Sequence, residues 1–178
     1  MPEVPSHALL VTGARTWDAR DMVREAFRSV WQDWGPASVT RPLLLSGHAA
    51  TGADAIAEQL FAAEGFPTAT FPADWHQHGR RAGFLRNKVM VDEMVRLHRA
   101  GTVVAVVAFL DRCRMARCPQ RRDLQLMPQG QPMHYVHGRL TAGGTLEHYS
   151  HGTAMCRAIA IDAQLPVHDV FHPQLPPI

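Results

Sequence analysis

Strands and helices alternate along this chain, and that alternation constrains its fold more than any other feature. The first apolar run, Ala8-Leu9-Leu10-Val11-Thr12, is unbroken and stops at Gly13. A short continuous run of this kind suits a strand buried on both faces. Asp18 then reads as an N-cap. Residues 19–34 place Met22, Val23, Ala26, Phe27, Val30, Trp31 and Trp34 at helical spacing, ended by Gly35-Pro36. The pattern repeats. A strand over Pro42–Ser46 runs into Gly47, a helix spans Gly52–Glu64, and a short strand spans Thr68–Phe71. Residues 72–83 read as a polar loop, Leu85–Ala100 as a helix, and Thr102–Leu110 as the strongest strand. An irregular stretch follows from Asp111 to Ser150, then a helix over Gly152–Gln164 and a strand over Pro166–Val170.

Strict strand–helix alternation implies a parallel sheet with helices on both faces, because a parallel crossover needs a covering element. The expected fold class is therefore α/β, a Rossmann-like parallel sheet with an irregular insert before the last helix. In such sheets ligands bind beyond the carboxyl ends of the strands.

The length of 178 residues fits one domain over 1–178, with the insert at 111–151, and apolar residues at 46% can fill its core. A net charge of +2 is too small to argue for nucleic acid. No stretch approaches the roughly 20 apolar residues of a membrane span. The start, Met1–His7, is acidic and proline-bearing rather than a basic, apolar signal region. A cytoplasmic location is the expectation. Cys113, Cys118 and Cys156 cannot all pair within one chain, so they read as thiols or metal ligands.

Three segments fall at strand ends. In Val11–Trp17, Gly13 permits a sharp turn, Arg15 can fork onto a phosphate or carboxylate, and Trp17 stands beside them. In Ser46–Asp54, Gly47 and Gly52 bracket a loop that opens a helix, where free N–H groups and the dipole favour an anion. The loop lacks the Lys-Ser/Thr of a P-loop, which argues against an ATPase. Asp54 sits in the first helical turn, either as a cap or as an ionised base. In Pro72–Asn87, an acid, two imidazoles, three guanidiniums and two amides gather around two glycines. Asp74 and His78 stand out as acid–base groups, and Gly83, Arg86 and Asn87 as pocket residues. For each glycine and arginine the plain alternative is a turn and a solvated charge.

Taken in order, VTGARTW, SGHAATGADAIAE and FPADWHQHGRRAGFLRNKVMVD resemble the YspA/YpsA-related branch of the SLOG superfamily, of actinobacterial and phage type. These are Rossmann-like domains akin to the Lonely Guy cytokinin-releasing enzymes and to DprA. The resemblance covers about residues 8 to 110 and resumes at Gly152-Thr153-Ala154. It implies binding of nucleotides or nucleotide-derived ligands, with pocket roles for Gly13, Arg15, Gly47, Gly52, Asp54, Gly83, Arg86, Asn87, Gly152 and Thr153. One departure matters. The hydrolytic relatives carry a catalytic Glu in a Gly-Thr-x-x-Glu segment, whereas Gly152-Thr153-Ala154-Met155-Cys156 ends in Cys. Gly143–His148 is similar but places Glu147 one residue early.

Cys113 and Cys118 are separated by four residues, within structural-zinc spacing, and His148 and His151 follow about thirty residues on. Two thiolates and two imidazoles would close a tetrahedral Zn²⁺ site and order an insert with few apolar residues. His134, His137 and Cys156 compete as ligands, and a loop with incidental thiols is the other reading.

Three functions follow. The first is sensing or sequestering a nucleotide-derived ligand, which the missing Glu favours. The second is a nucleotide-processing hydrolase of phosphoribohydrolase or N-glycosidase type, using Asp54, Asp74, His78 or Glu147. The third is nucleic-acid binding as in DprA, through Arg112, Arg114, Arg117, Arg121 and Arg122, against which the low net charge argues. Whether the chain turns over a ligand, and whether it is a homodimer, is not written in its sequence.

Overall fold

The computed structural model describes residues 4–114 and 149–173, together with the backbone of Met133–Val136 and Arg139–Ala142. In chain order the elements are β1 (His7–Gly13), α1 (Arg20–Trp34), β2 (Pro42–Ser46), α2 (Ala53–Ala63), β3 (Thr68–Thr70), α3 (Trp75–His78), α4 (Ala82–Arg99) and β4 (Val103–Leu110). They are followed by β5 (Met133–Val136), β6 (Arg139–Ala142), α5 (His151–Asp162) and β7 (Val167–Phe171). Among the described residues no helix is long and apolar enough to cross a membrane.

Five strands form one parallel sheet in the order β3-β2-β1-β4-β7. The chain builds outward from β1 to β3, then returns to lay β4 against the other side of β1. That reversal opens a crevice at the carboxyl ends of β1 and β4, where the loops diverge to opposite faces. The α/β, Rossmann-like expectation holds.

The alternation along each strand decides which helices cover which face. Leu9 and Val11 of β1, Leu44 of β2, and Ala105, Val107 and Phe109 of β4 pack with Val23, Phe27 and Val30 of α1 and Ala53, Ala57 and Phe61 of α2. Ala8, Leu10, Leu45, Val104 and Val106 point the other way, onto Met90, Val91, Met94 and Leu97 of α4 and Cys156 and Ala160 of α5. Both faces of β1 and β4 are dry, which is why these strands read as continuous apolar runs rather than alternating ones.

Four local expectations need correction. Asp18 does not cap α1. The cap position is Ala19, with no side-chain bond, and the Asp18 carboxylate instead lies 3.1 Å from Nε2 of the buried His172 beyond β7. A tertiary partner 154 residues away outcompetes the helix end. Trp17 does not reach a pocket. It is 2% exposed and packs edge-on against Phe109 and His172, because burying an indole outweighs leaving it at a strand-end loop. Residues 72–83 are not a plain loop. They hold α3 and a 3₁₀ turn over Gly79–Arg81, and α4 starts at Ala82, three residues before the sequence pattern becomes apolar. Finally, the insert is not wholly irregular, since β5 and β6 pair antiparallel.

The ends of the insert are pinned. Arg112 and Tyr149 form an antiparallel bridge, and Ser150 donates its N–H to the Asp111 carbonyl at 2.9 Å. This returns the chain to the carboxyl end of β4 just before α5 begins.

Candidate functional site

A cleft of about 970 Å³ lies over the carboxyl ends of β1 and β4. Its walls come from the β1–α1 loop, the segment from Trp75 into α4, the residues after β4, and the first turn of α5. Of the residues singled out in the sequence, Gly13, Arg15, Asp54, Gly83, Arg86, Asn87, Gly152, Thr153, Cys113 and His151 line it. Gly47, Gly52, Trp17, Asp74 and His78 do not. Cys118 and His148 lie outside the described residues.

The glycines that do not line the cleft shape it. A Cβ on Gly47 would sit 1.6 Å from Nη1 of Arg86 and 2.9 Å from Oδ2 of Asp54, so this glycine is the space the guanidinium occupies. Gly52 has φ +84°, and a Cβ there would lie 2.2 Å from the Ala14 carbonyl oxygen and 2.6 Å from the Arg15 Cα. The two strand-end loops therefore lock together. Ala53 N–H donates to the Ala14 carbonyl at 3.4 Å, and the Thr51 hydroxyl donates to the Arg15 carbonyl at 3.0 Å. The N-terminus of α2 is thus occupied in part by the protein's own carbonyl. Gly13 plays a packing role as well, since a Cβ there would meet that of Ala53 at 2.3 Å.

The floor is polar and buried. Arg86 Nη1 donates to the Gly47 carbonyl at 2.5 Å and stands 4.0 Å from Asp54 Oδ2. Asn87, the next residue of α4, donates from Nδ2 to the Gly152 carbonyl at 3.0 Å and so ties α4 to α5. Arg86 Nε and Asn87 Oδ1 have no hydrogen-bond partner among the described residues. Both atoms are enclosed, and burying them unmatched is costly. The helix-start position predicts a lowered carboxyl pKa at Asp54. Burial instead pushes it up to about 6, against the opposing pull of Arg86 and the Ala49 N–H.

The rim differs. Arg15, Arg80 and Arg114 are exposed and Arg112 is half-buried, and all four line the cleft. Arg15 stacks over the Trp75 ring with its guanidinium carbon 5.8 Å from the ring centre. Trp75 is 51% exposed and forms one edge of the cleft, with Gly83 beneath it. Reasoning from sequence passed over Trp75 as a site residue. The available signal was an indole inside a polar segment, next to the Arg and Gly residues already chosen. Arg112 and Arg114 were read only as part of a basic patch. Asp111 was also missed. It is 1% exposed and accepts from the Thr16 hydroxyl at 2.6 Å, joining the loops after β1 and β4.

Asp74 caps α3, accepting the Gln77 N–H at 2.8 Å, and His78 is exposed at the end of that helix. Cys156 is fully buried between α5 and the sheet. Desolvation pushes its thiol up to about 12 despite a hydrogen bond with Thr12, so it is inert at neutral pH. Cys113 Sγ lies 3.5 Å from His151 Nε2, and burial lowers the affinity of that imidazole for a proton. Among the described residues no group of three or more metal-ligating side chains occurs.

Neither a curated protein nor a solved structure matches the chain significantly. The model of one family, YAcAr, described as the YspA, cpYpsA-related SLOG family, matches residues 8–78, the segment from β1 through α3 that carries both interlocked glycine loops and Trp75. Over that segment the chain is similar to the YspA, cpYpsA-related SLOG family.

Proposed function

We propose that the cleft binds a nucleotide-derived small molecule, for sensing or sequestering rather than turnover. The observation that carries this reading is the composition of one cleft at the strand reversal. Five arginines (15, 80, 86, 112 and 114), an exposed tryptophan and a buried Asp–Arg–Asn floor converge there. Arginines suit phosphate, an indole face suits a base, and the polar floor suits a sugar. The similarity of residues 8–78 to a SLOG family agrees with nucleotide-related chemistry. Cys156 in place of the relatives' Glu, buried and protonated, favours binding over hydrolysis. The test is a thermal-shift screen of nucleotides, NAD fragments and ADP-ribose. At least one should raise the melting temperature, and Arg15→Ala should weaken that effect. A panel with no stabilising compound refutes the reading.

One observation favours the hydrolase alternative. Asp54 with a pKa of about 6 can hold or release a proton near neutral pH, as an acid–base group must. Asp74 and His78 lie off the cleft and have no such support. Release of free base or ribose phosphate that Asp54→Asn abolishes would establish turnover.

A structural Zn²⁺ in the insert is a separate proposal. In a tetrahedral site with Zn–S of about 2.3 Å and Zn–N of about 2.1 Å, the S···N edge is about 3.6 Å. Cys113 Sγ and His151 Nε2, 3.5 Å apart, fit that edge as two of four ligands. Such an ion would clamp the insert to the start of α5. Elemental analysis of protein purified without chelator should find about one zinc per chain, lost in Cys113→Ser. Zinc-free protein with an intact fold contradicts it.

A further inference from the structure

The rim of the cleft carries two aromatic rings that the fold does not use, and this narrows what the cleft recognises. The inference rests on the cleft being the ligand site. Trp17, Trp31 and Trp34 pack into the core on the α1 side, whereas Trp75 is 51% exposed and lines the cleft. Its indole rests against the start of α4, where a Cβ on Gly83 would come within 3.4 Å of its Cη2. Phe84, the next residue, is 42% exposed and also lines the cleft. Neither ring belongs to either of the two core clusters. Aromatic rings left in water at the wall of a cavity, beside cations, are suited to a flat π-system.

The arginines around the cleft differ in what already meets their charge. Arg86 stands 4.0 Å from Asp54, and Arg114 stands 3.6 Å from Asp111. Arg15 and Arg80 line the cleft and have no ion pair and no side-chain hydrogen bond among the described residues. The contact that the Arg15 guanidinium does make is with the Trp75 ring, at 5.8 Å, the outer limit of a cation–π interaction. An arginine without a carboxylate gives up nothing when it turns to a phosphate, so these two are the most available for one. We propose that Trp75, with Phe84 beside it, stacks the aromatic base of the ligand, and that Arg15 and Arg80 take the phosphate carried on the sugar of that base. Arg15 exchanges partners in the process. The base takes the indole face over which the guanidinium lies, and the guanidinium moves to the phosphate. The recognised class is a nucleotide with its base attached, not a sugar phosphate.

Titration calorimetry of the full chain with AMP, ADP-ribose and ribose 5-phosphate tests this. Wild type should bind at least one of the two nucleotides. It should bind ribose 5-phosphate about ten- to a hundredfold more weakly than that nucleotide, the usual effect of losing one base stacked on an aromatic ring. Trp75→Leu should weaken the nucleotide by a similar factor, and Trp75→Phe, which keeps a ring face, should restore most of the loss. Arg80→Ala should weaken the nucleotide about tenfold, the effect of losing one charge-assisted contact to phosphate. If ribose 5-phosphate binds as tightly as the nucleotide, or if Trp75→Leu leaves nucleotide affinity unchanged, the base subsite is refuted and the cleft reading stands. If Trp75→Phe binds as poorly as Trp75→Leu, the indole acts by shape and the stacking is refuted. If Arg80→Ala binds as wild type does, the phosphate assignment is refuted. If neither nucleotide binds, the cleft reading fails and the subsite with it. The wild-type comparison is decisive even if a variant folds poorly.

Discussion

Gly52→Ala isolates the contact that holds the two strand-end loops together. Gly52 has φ +84° and ψ −155°, a region essentially restricted to glycine, where another residue costs about 1–3 kcal/mol. The new Cβ would also sit 2.2 Å from the Ala14 carbonyl oxygen and 2.6 Å from the Arg15 Cα, and neither is a side-chain end that can swing away. Relief requires the loops to part, which sacrifices the Thr51–Arg15 and Ala53–Ala14 hydrogen bonds at about 0.5–1.5 kcal/mol each. Together these give about 4 kcal/mol. In a domain of this size about 1 kcal/mol lowers Tm by roughly 2–4 °C, so a fall of about 8–16 °C is expected in a thermal melt followed by circular dichroism. Gly65→Ala is the matched control. It has φ +71° with nothing within 4 Å of the added methyl, so only backbone strain of about 1–2 kcal/mol applies. If Gly52→Ala melts within about 3 °C of wild type, or no lower than Gly65→Ala, the interlocked-loop account is wrong.

Asp54→Asn should change how stability depends on pH. The carboxyl has a folded pKa of about 6 against 3.8 in the ordinary state, so the folded chain holds the proton more tightly. Its contribution is greatest below pH 3.8 and is lost as pH rises through about 6, a difference of about 3 kcal/mol by linkage. Urea unfolding at pH 4.5 and 7.5 should therefore show the Asn variant gaining on wild type at the higher pH, and equal offsets at both would refute the shift. Cys156→Glu, which restores the relatives' residue type, should not install hydrolysis. It buries an unpaired carboxylate at a fully enclosed position and should cost several kcal/mol, so a variant as stable as wild type would contradict the packing. Arg157→Met should cost about 1.5–3 kcal/mol, because it leaves the half-buried Asp169 without its two-pronged partner at 2.6 and 2.5 Å. An unchanged denaturation midpoint would show that the pair contributes nothing.

Local chemistry was enough to read the strands of the parallel sheet and the four long helices. The apolar runs of β1, β2 and β4 announce strands buried on both faces because no alternation interrupts them, and Gly35 and Pro36 mark the end of α1 because one takes φ +78° and the other cannot continue a helix. Order along the chain then implied a parallel sheet, since parallel neighbours require crossovers. The polar groups that line the cleft were also legible as a set, because Arg15, Asp54, Arg86, Asn87 and Thr153 all follow strand ends or open helices.

The destinations of those side chains were not legible. Only the reversal that sets β4 beside β1 decides that Asp111 reaches Thr16, 95 residues away, and that Arg86 fills the space above Gly47, 39 residues away. The same packing sends Trp17 into the core, gives Asp18 to His172 rather than to a helix end, and raises the Asp54 carboxyl where a helix start would lower it. The sequence by itself determined the sheet strands, the four long helices and their order, because propensity and periodicity act over a few residues. The tertiary structure alone decided which glycines are structural and which polar atoms remain unmatched, because burial and hydrogen-bond competition depend on neighbours brought together only when the sheet closes up.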